Sequence, residues 1–217
     1  VNLHKTFATP HGCGGPGAGP VGVSDRLKEF LPISRVVRRN DGTYTLDYEY
    51  PKSIGYIAPF YGNFAVCLKA YAYIRLLGAE GLKQVSDNAV LNANYCMQQL
   101  KEDFDLPVDR TCMHEFVLSA KKQKEHGVAA GDIAKALIDE RIHPPTMYFP
   151  LIVKEAMMIE PTETESKETL DRFISVMKEI AERVKNDPDS LHEAPVKAPV
   201  NRPDEVQAAR DGDVASC

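Results

Sequence analysis

Tryptophan is absent from the 217 residues, and cysteine is sparse. The five cysteines, at positions 13, 67, 96, 112 and 217, are odd in number and contain no C-x-x-C pair. Scattered in this way, they point to neither a disulfide framework nor a zinc site, and they fit thiols kept reduced in a cytoplasm. His4, His11 and Cys13 bring metal-ligand types together, but no fourth ligand follows at a usual spacing, so no metal is expected. Long apolar runs are missing as well. The most hydrophobic stretch, residues 64–77, is interrupted by Lys69 and Arg75 and is too short to span a membrane. Nor is there an excess of basic charge. Lys and Arg total 26 against 31 Asp and Glu, a net charge of -5, which argues against a nucleic-acid surface.

What is present is glycine, concentrated near the start. The chain opens VNLHKTFATPHGCGGPGAGPVGV, with a single lysine, Lys5, between His4 and Thr6. Six glycines (12, 14, 15, 17, 19 and 22) follow within eleven residues. Such density means a backbone that visits positive φ or approaches something closely. Three readings compete: a flexible linker, a phosphate cradle, or a lysine that forms an imine beside a tight turn. The cradle is the weakest from spacing, because the GxxxxGK[ST] pattern is absent and the lysine precedes the glycines.

Further along, Pro20–Ser24 reads as a short β-like run, and 25–32 as a turn of helix opening on Ser24 or Asp25. Arg35, Arg38 and Arg39 read as a solvated cluster. Asn40-Asp41-Gly42 signals a hairpin turn, and Tyr44, Leu46 and Tyr48 alternate with polar residues as in a half-exposed strand. Residues 64–77 are apolar almost all round, which predicts a buried helix at a subunit interface. Gly78 ends it, and a second helix runs over 81–104, barred by Pro107. A strand is predicted over 113–120, and the His114-Glu115 pair within it reads as structural. A helix follows over 133–141, capped by Asp132, and then two strands in 147–152 and 156–161. Ser166 caps a helix whose stripe is Leu170, Phe173, Ile174, Met177, Ile180, Ala181 and Val184. Beyond Asp187 the chain is polar and proline-rich, an extended tail ordered only where it packs on something.

The opening string closely resembles the pyridoxal-phosphate lysine motif of the glycine decarboxylase family, the P-proteins of the glycine cleavage system. The segments APFYGNFAV (58–66), RLLGAEGL (75–82), LNANY (91–95) and IEPTETESKE (159–168) resemble the same family in its two-subunit form. Cys13 departs from the pattern, which has glycine there. The resemblance spans nearly the whole chain, about residues 2–210. It implies that Lys5 binds pyridoxal 5'-phosphate, that His4 shapes the pocket, and that Tyr61, Gly62 and Asn63 reach the cofactor phosphate at a helix start. It also implies glycine as substrate, and P-protein subunit 1 and a lipoylated H-protein as partners. On residues alone, Asn63 reads equally as a plain N-cap.

The expected fold is α/β: the small C-terminal domain of a fold-type I, aspartate-aminotransferase-like enzyme, with a mixed or antiparallel sheet covered by helices. Residues 1–24 are read as the lysine motif and a remnant of the cofactor domain, 25–186 as the C-terminal domain, and 187–217 as the tail. No initiator Met precedes the motif, so the chain is expected to be part of a longer protein and inactive alone. The open alternatives are another pyridoxal-phosphate decarboxylase or lyase, and a non-catalytic interaction domain using 64–77.

Overall fold

The computed structural model describes residues 1–9, 17–57 and 61–211, and divides into two compact units, Val1–Leu82 and Lys83–Cys217. In the first unit a single helical turn, α1 (Leu3–Thr6), opens the chain. The run Pro20–Ser24 forms no strand. Pro20 has no N–H to give to a ladder, and Gly22 weakens any strand it occupies. Asp25–Phe30 is helical as expected, but tightens to 3-10 geometry, and Pro32 bars its extension.

Strands β1 (Arg35–Arg38) and β2 (Tyr44–Asp47) pair antiparallel around Gly42, which lies at φ +88°. The alternation is the expected one, but the apolar set faces outward: Val36, Tyr44 and Leu46 are exposed, while Val37, Thr45 and Asp47 are half-buried. Arg35 supplies the reason. It is not solvated with Arg38 and Arg39. Its Nη2 donates to Leu31 O at 2.8 Å and to Glu29 O at 3.2 Å, and its Nε donates to Pro32 O at 3.3 Å. The guanidinium also lies 3.7 Å from the centre of the Tyr50 ring. Arg35 stands opposite Asp47, and Val37 opposite Thr45. Turning one arginine inward carries all four to the same face, because side chains alternate with a period of two.

Helix α2 (Phe64–Leu100) contains Gly78 at φ 64°, ψ -171°, so it is two helices joined at a kink, as the glycine predicted. Residues 64–77 are not buried as expected. Val66 and Ala70 are, but Phe64 is 79% exposed, Leu76 84%, and Leu68 and Tyr71 more than half. An all-round apolar helix is fully buried only with cover on every side.

In the second unit the later part of α2 supplies Ala93, Cys96, Met97 and Leu100, all fully buried. A three-stranded antiparallel sheet has the order β3 (Phe116–Ser119), β5 (Ala156–Ile159), β4 (Thr146–Met147). Each expected strand is present but shorter than its apolar run. β4 is a two-residue edge, and Pro150 follows it. Between strands lie α3 (Lys121–Glu125) and α4 (Ala130–Asp139). α5 (Lys167–Asn186) is the best-read element: Ser166 Oγ accepts from Thr169 N at 3.2 Å, and every stripe residue except half-buried Phe173 is buried. The layer arrangement, helices over an antiparallel sheet, is the expected one. No helix among the described residues is long and apolar enough to cross a membrane.

The start of α4 differs from expectation. Asp132 is the third residue of the helix rather than its cap, and its carboxylate reaches back to accept from Ala129 N at 2.8 Å. The same buried carboxylate pairs with Arg202 at 2.9 Å and faces His192 at 3.7 Å. Arg202 also donates to Ala194 O and Leu191 O. The segment after Asp187 therefore packs on its own unit: it forms α6 (Asp189–Glu193), buries Leu191, Ala194 and Pro195, and gives Val196 N and Lys197 N to Asp139. The exposed α7 (Glu205–Asp211) follows. Replacing Asp132 by Ala removes the acceptor for a helix-start N–H and leaves Arg202 without its anion. Urea denaturation followed at 222 nm is expected to show a loss of about 2 kcal/mol, whereas Asp25→Ala, on an exposed turn, stays within about 0.5 kcal/mol.

Candidate functional site

Lys5 lies on α1 and is exposed; among the described residues its amine has no hydrogen bond or ion pair. The turn that carries it is fastened to the far end of the glycine-rich segment. Leu3 N donates to Ala18 O at 3.0 Å, and Ala18 N donates to His4 Nδ1 at 3.2 Å. Val1 N lies 3.4 Å from Pro20 O. The approach is close: a Cβ on Gly19 would stand 1.9 Å from Val1 O, so only glycine fits there. Phe7 packs edge-on against Tyr73 of α2, with ring centres 5.9 Å apart.

Gly62 comes to the same place. It sits at φ +102°, and a Cβ there would touch the Ala18 methyl at 3.5 Å. Asn63 caps α2 through Oδ1, which accepts from Val66 N at 3.2 Å. The capping role read from residues alone is therefore present. The Tyr61 hydroxyl is hydrogen-bonded to Ser34 Oγ. Of the residues singled out, His4 and Gly62 thus meet at Ala18, Lys5 is next to His4, and Tyr61 and Asn63 flank Gly62. His11, Cys13, Pro59 and the first three loop glycines lie outside the described residues.

Sequence reasoning missed Ser34, Tyr48 and Tyr56. The Tyr56 hydroxyl is pushed above the ordinary tyrosine range, first by its hydrogen bond with Tyr48 and then by desolvation, with Ser34 acting the other way. Tyr48 reads as strand alternation and Tyr56 as part of a loop over 53–63, and no local signal marks Ser34, which acquires its neighbours only by folding. His114 is exposed and stands 3.8 Å from Glu160, and no group of three or more His, Cys, Asp or Glu among the described residues is placed to hold a metal ion.

Residues 85–200 match the family model described as glycine dehydrogenase, C-terminal domain. The chain belongs to this family. Over 210 residues it is 59% identical to the probable glycine dehydrogenase (decarboxylating) subunit 2 of Oceanobacillus iheyensis, and 57% identical to the protein of that name from Listeria monocytogenes. A third relative of that name, from Caldanaerobacter subterraneus, is 58% identical over 211 residues. Each alignment takes in 97% of this chain but 43% of the relative, so the chain spans less than half the length of the curated relatives it matches. Among solved structures, an inhibitor-bound glycine decarboxylase (P-protein) of the glycine cleavage system matches with a TM-score of 0.58 at 18% identity, covering 72% of this chain and 37% of that one. An apo cysteine desulfurase from Thermococcus onnurineus NA1 matches at 0.50 and 18%, covering 69% and 38%. At such identity the likeness speaks for the fold, and the fold is the one expected from the sequence.

The thiols of this glycine dehydrogenase family member sit in contrasting environments. Burial pushes Cys96 up to about 12, and also raises Cys112, while Cys67 is exposed on α2. Iodoacetamide at pH 8 with peptide mapping is expected to label Cys67 in the native protein and Cys96 only after unfolding. Equal labelling of both would contradict the burial.

Proposed function

We propose that this chain is the C-terminal part of a cytoplasmic, pyridoxal-phosphate-dependent glycine decarboxylase. The whole enzyme releases CO2 from glycine and passes the aminomethyl group to the lipoyl arm of H-protein, working with a P-protein subunit 1. The observation that carries the reading is the meeting at Ala18 of the Lys5 turn and the Gly62 start of α2, in a chain of the glycine dehydrogenase family.

The residues present fit the cofactor's two handles. Lys5 offers an exposed amine to an aldehyde carbon. The start of α2 beside Gly62 presents first-turn N–H groups, which suits a phosphate. Among the described residues the buried Thr9 Oγ1 has no hydrogen-bond partner, a further donor near the lysine in sequence. His4, held by Ala18, keeps the lysine turn against the end of the loop. When bound, pyridoxal phosphate supplies the electron sink for the pair left as the carboxylate departs. No acidic residue for the ring nitrogen neighbours Lys5 in the sequence, and the curated relatives are more than twice the length matched here. On this reading the ring is held by residues outside this chain, and the chain alone does not turn over glycine.

A second reading, a non-catalytic interaction domain, draws on the exposed face of Phe64, Leu68, Tyr71 and Leu76. The two are separated by titrating pyridoxal phosphate into the 217-residue chain and into the whole subunit that carries it. The expected result is no tight, stoichiometric adduct with the chain alone. The whole assembly is expected to form a borohydride-trappable adduct at Lys5 and to exchange bicarbonate into glycine, both lost in Lys5→Ala. Full exchange activity in Lys5→Ala would overturn the proposal. A trapped adduct without glycine exchange would indicate another decarboxylase or lyase of the same cofactor.

A further inference from the structure

Arg202 holds two parts of the chain at once. Its Nε donates to Ala194 O at 2.7 Å and its Nη2 to Leu191 O at 3.1 Å, which closes residues 191–202 into a loop. The same Nη2 stands 2.9 Å from Asp132 Oδ1. The other oxygen of that carboxylate, Oδ2, accepts from Ala129 N at 2.8 Å and faces His192 Nδ1 at 3.7 Å. One carboxylate thus divides its oxygens between the loop and the start of α4. The loop also meets the far end of that helix. Asp139 accepts from Val196 N at 2.8 Å and from Lys197 N at 2.6 Å, and Lys197 Nζ donates to Glu140 Oε1 at 2.7 Å.

Apolar anchorage stops short of this loop's end. Leu191, Ala194 and Pro195 are buried, but from Val196 to Asp211 no side chain is. Val196 is 66% exposed and Val200 68%. By contrast α4 is seated on the core through Ile133, Ala136 and Leu137. Residues 196–202 are therefore held by polar contacts, and a segment held in that way opens at a lower free energy than the core. The two sides of the carboxylate also depend on each other. If Arg202 leaves, Asp132 is a carboxylate only 8% exposed, and among the described residues no basic side chain but His192 lies within 4 Å of it. A buried charge without a partner is destabilising, so it turns to water and gives up Ala129 N. If Asp132 loses its charge, Arg202 loses the anion that seats the loop.

We propose that Arg202 is a clasp: residues 196–202 and the start of α4 open together as one local unit, while the sheet and α5 stay closed. The coupling is carried by one side chain, with Asp132 Oδ1 on Arg202 and Oδ2 on Ala129 N. The end of the second unit is thereby held or released without unfolding the core beneath it. Simple fraying of a chain end is different, because it frees residues 196–202 and leaves residues 129–132 as they were. Only this chain's own residues take part, so the clasp does not rest on the cofactor reading.

The test is hydrogen–deuterium exchange, read by mass spectrometry on peptides from the whole subunit that carries this sequence. Four variants are compared with the unaltered protein: Arg202→Gln, Asp132→Asn, the two combined, and Arg210→Gln on the exposed α7 as a control. In either single variant, exchange is expected to quicken at least about tenfold in both 196–202 and 129–132, and to stay unchanged over β3 and β5. The combined variant is expected to exchange no faster than the faster single one, because both changes break the same contact. The control is expected to match the unaltered protein. If Arg202→Gln quickens residues 196–202 alone, the end merely frays and the clasp is wrong. Exchange that rises equally over β3 and β5 would make the ion pair a support of the whole fold and would also overturn the proposal. So would additive effects in the combined variant, which would mean two independent contacts.

Discussion

The second unit depends on how the start of one short helix is satisfied. A helix leaves its first N–H groups without intrahelical partners, and a buried start must find acceptors elsewhere. At α4 the acceptors come from three separate places in the chain. Asp132 takes Ala129 N, Glu155 takes Ala130 N, and the Tyr148 hydroxyl takes Gly131 N. The helix start thereby fixes the β4–β5 hairpin. Through Arg202 on Asp132 it also fixes the segment after α6. The apolar core beneath, with Phe104, Leu118, Ile133, Leu137, Met157 and Met177 fully or almost fully buried, supplies most of the stability. Polar closure at the helix start decides which way the connections leave it.

The first unit is organised differently. Its apolar residues are largely exposed, and its order comes from single polar or close contacts: Arg35 on three carbonyls and a tyrosine ring, His4 and Leu3 on Ala18, and a glycine at 19 where any side chain would collide with Val1. Such a unit presents surface for others to cover. This agrees with a chain that spans less than half of its relatives' length.

Long periodic elements were legible from the residues. The α5 stripe and its Ser166 cap, the break at Gly78, and the antiparallel sheet under helices all follow from spacing and turn chemistry. The lysine motif was legible only through family resemblance, since spacing by itself left linker, cradle and imine open. Orientation was not legible. The β1–β2 ribbon shows its apolar face outward because one arginine turns inward, and in the helix of residues 64–77 Val66 and Ala70 are buried while Phe64 and Leu76 are exposed. The proline-rich end looked like an open tail because nothing local marks Arg202 as the partner of a carboxylate seventy residues earlier.

By itself the sequence determined element type, the glycine positions where the backbone turns or crowds, and the family. These are properties of neighbouring residues: periodicity, propensity, steric permission. The tertiary structure alone decided which faces are covered, that Ala18 joins His4 to Gly62, that Ser34 meets Tyr61, and that one aspartate serves helix and tail together. Each of these brings together residues far apart in the chain. Such contacts depend on how whole elements pack, and no local pattern encodes that.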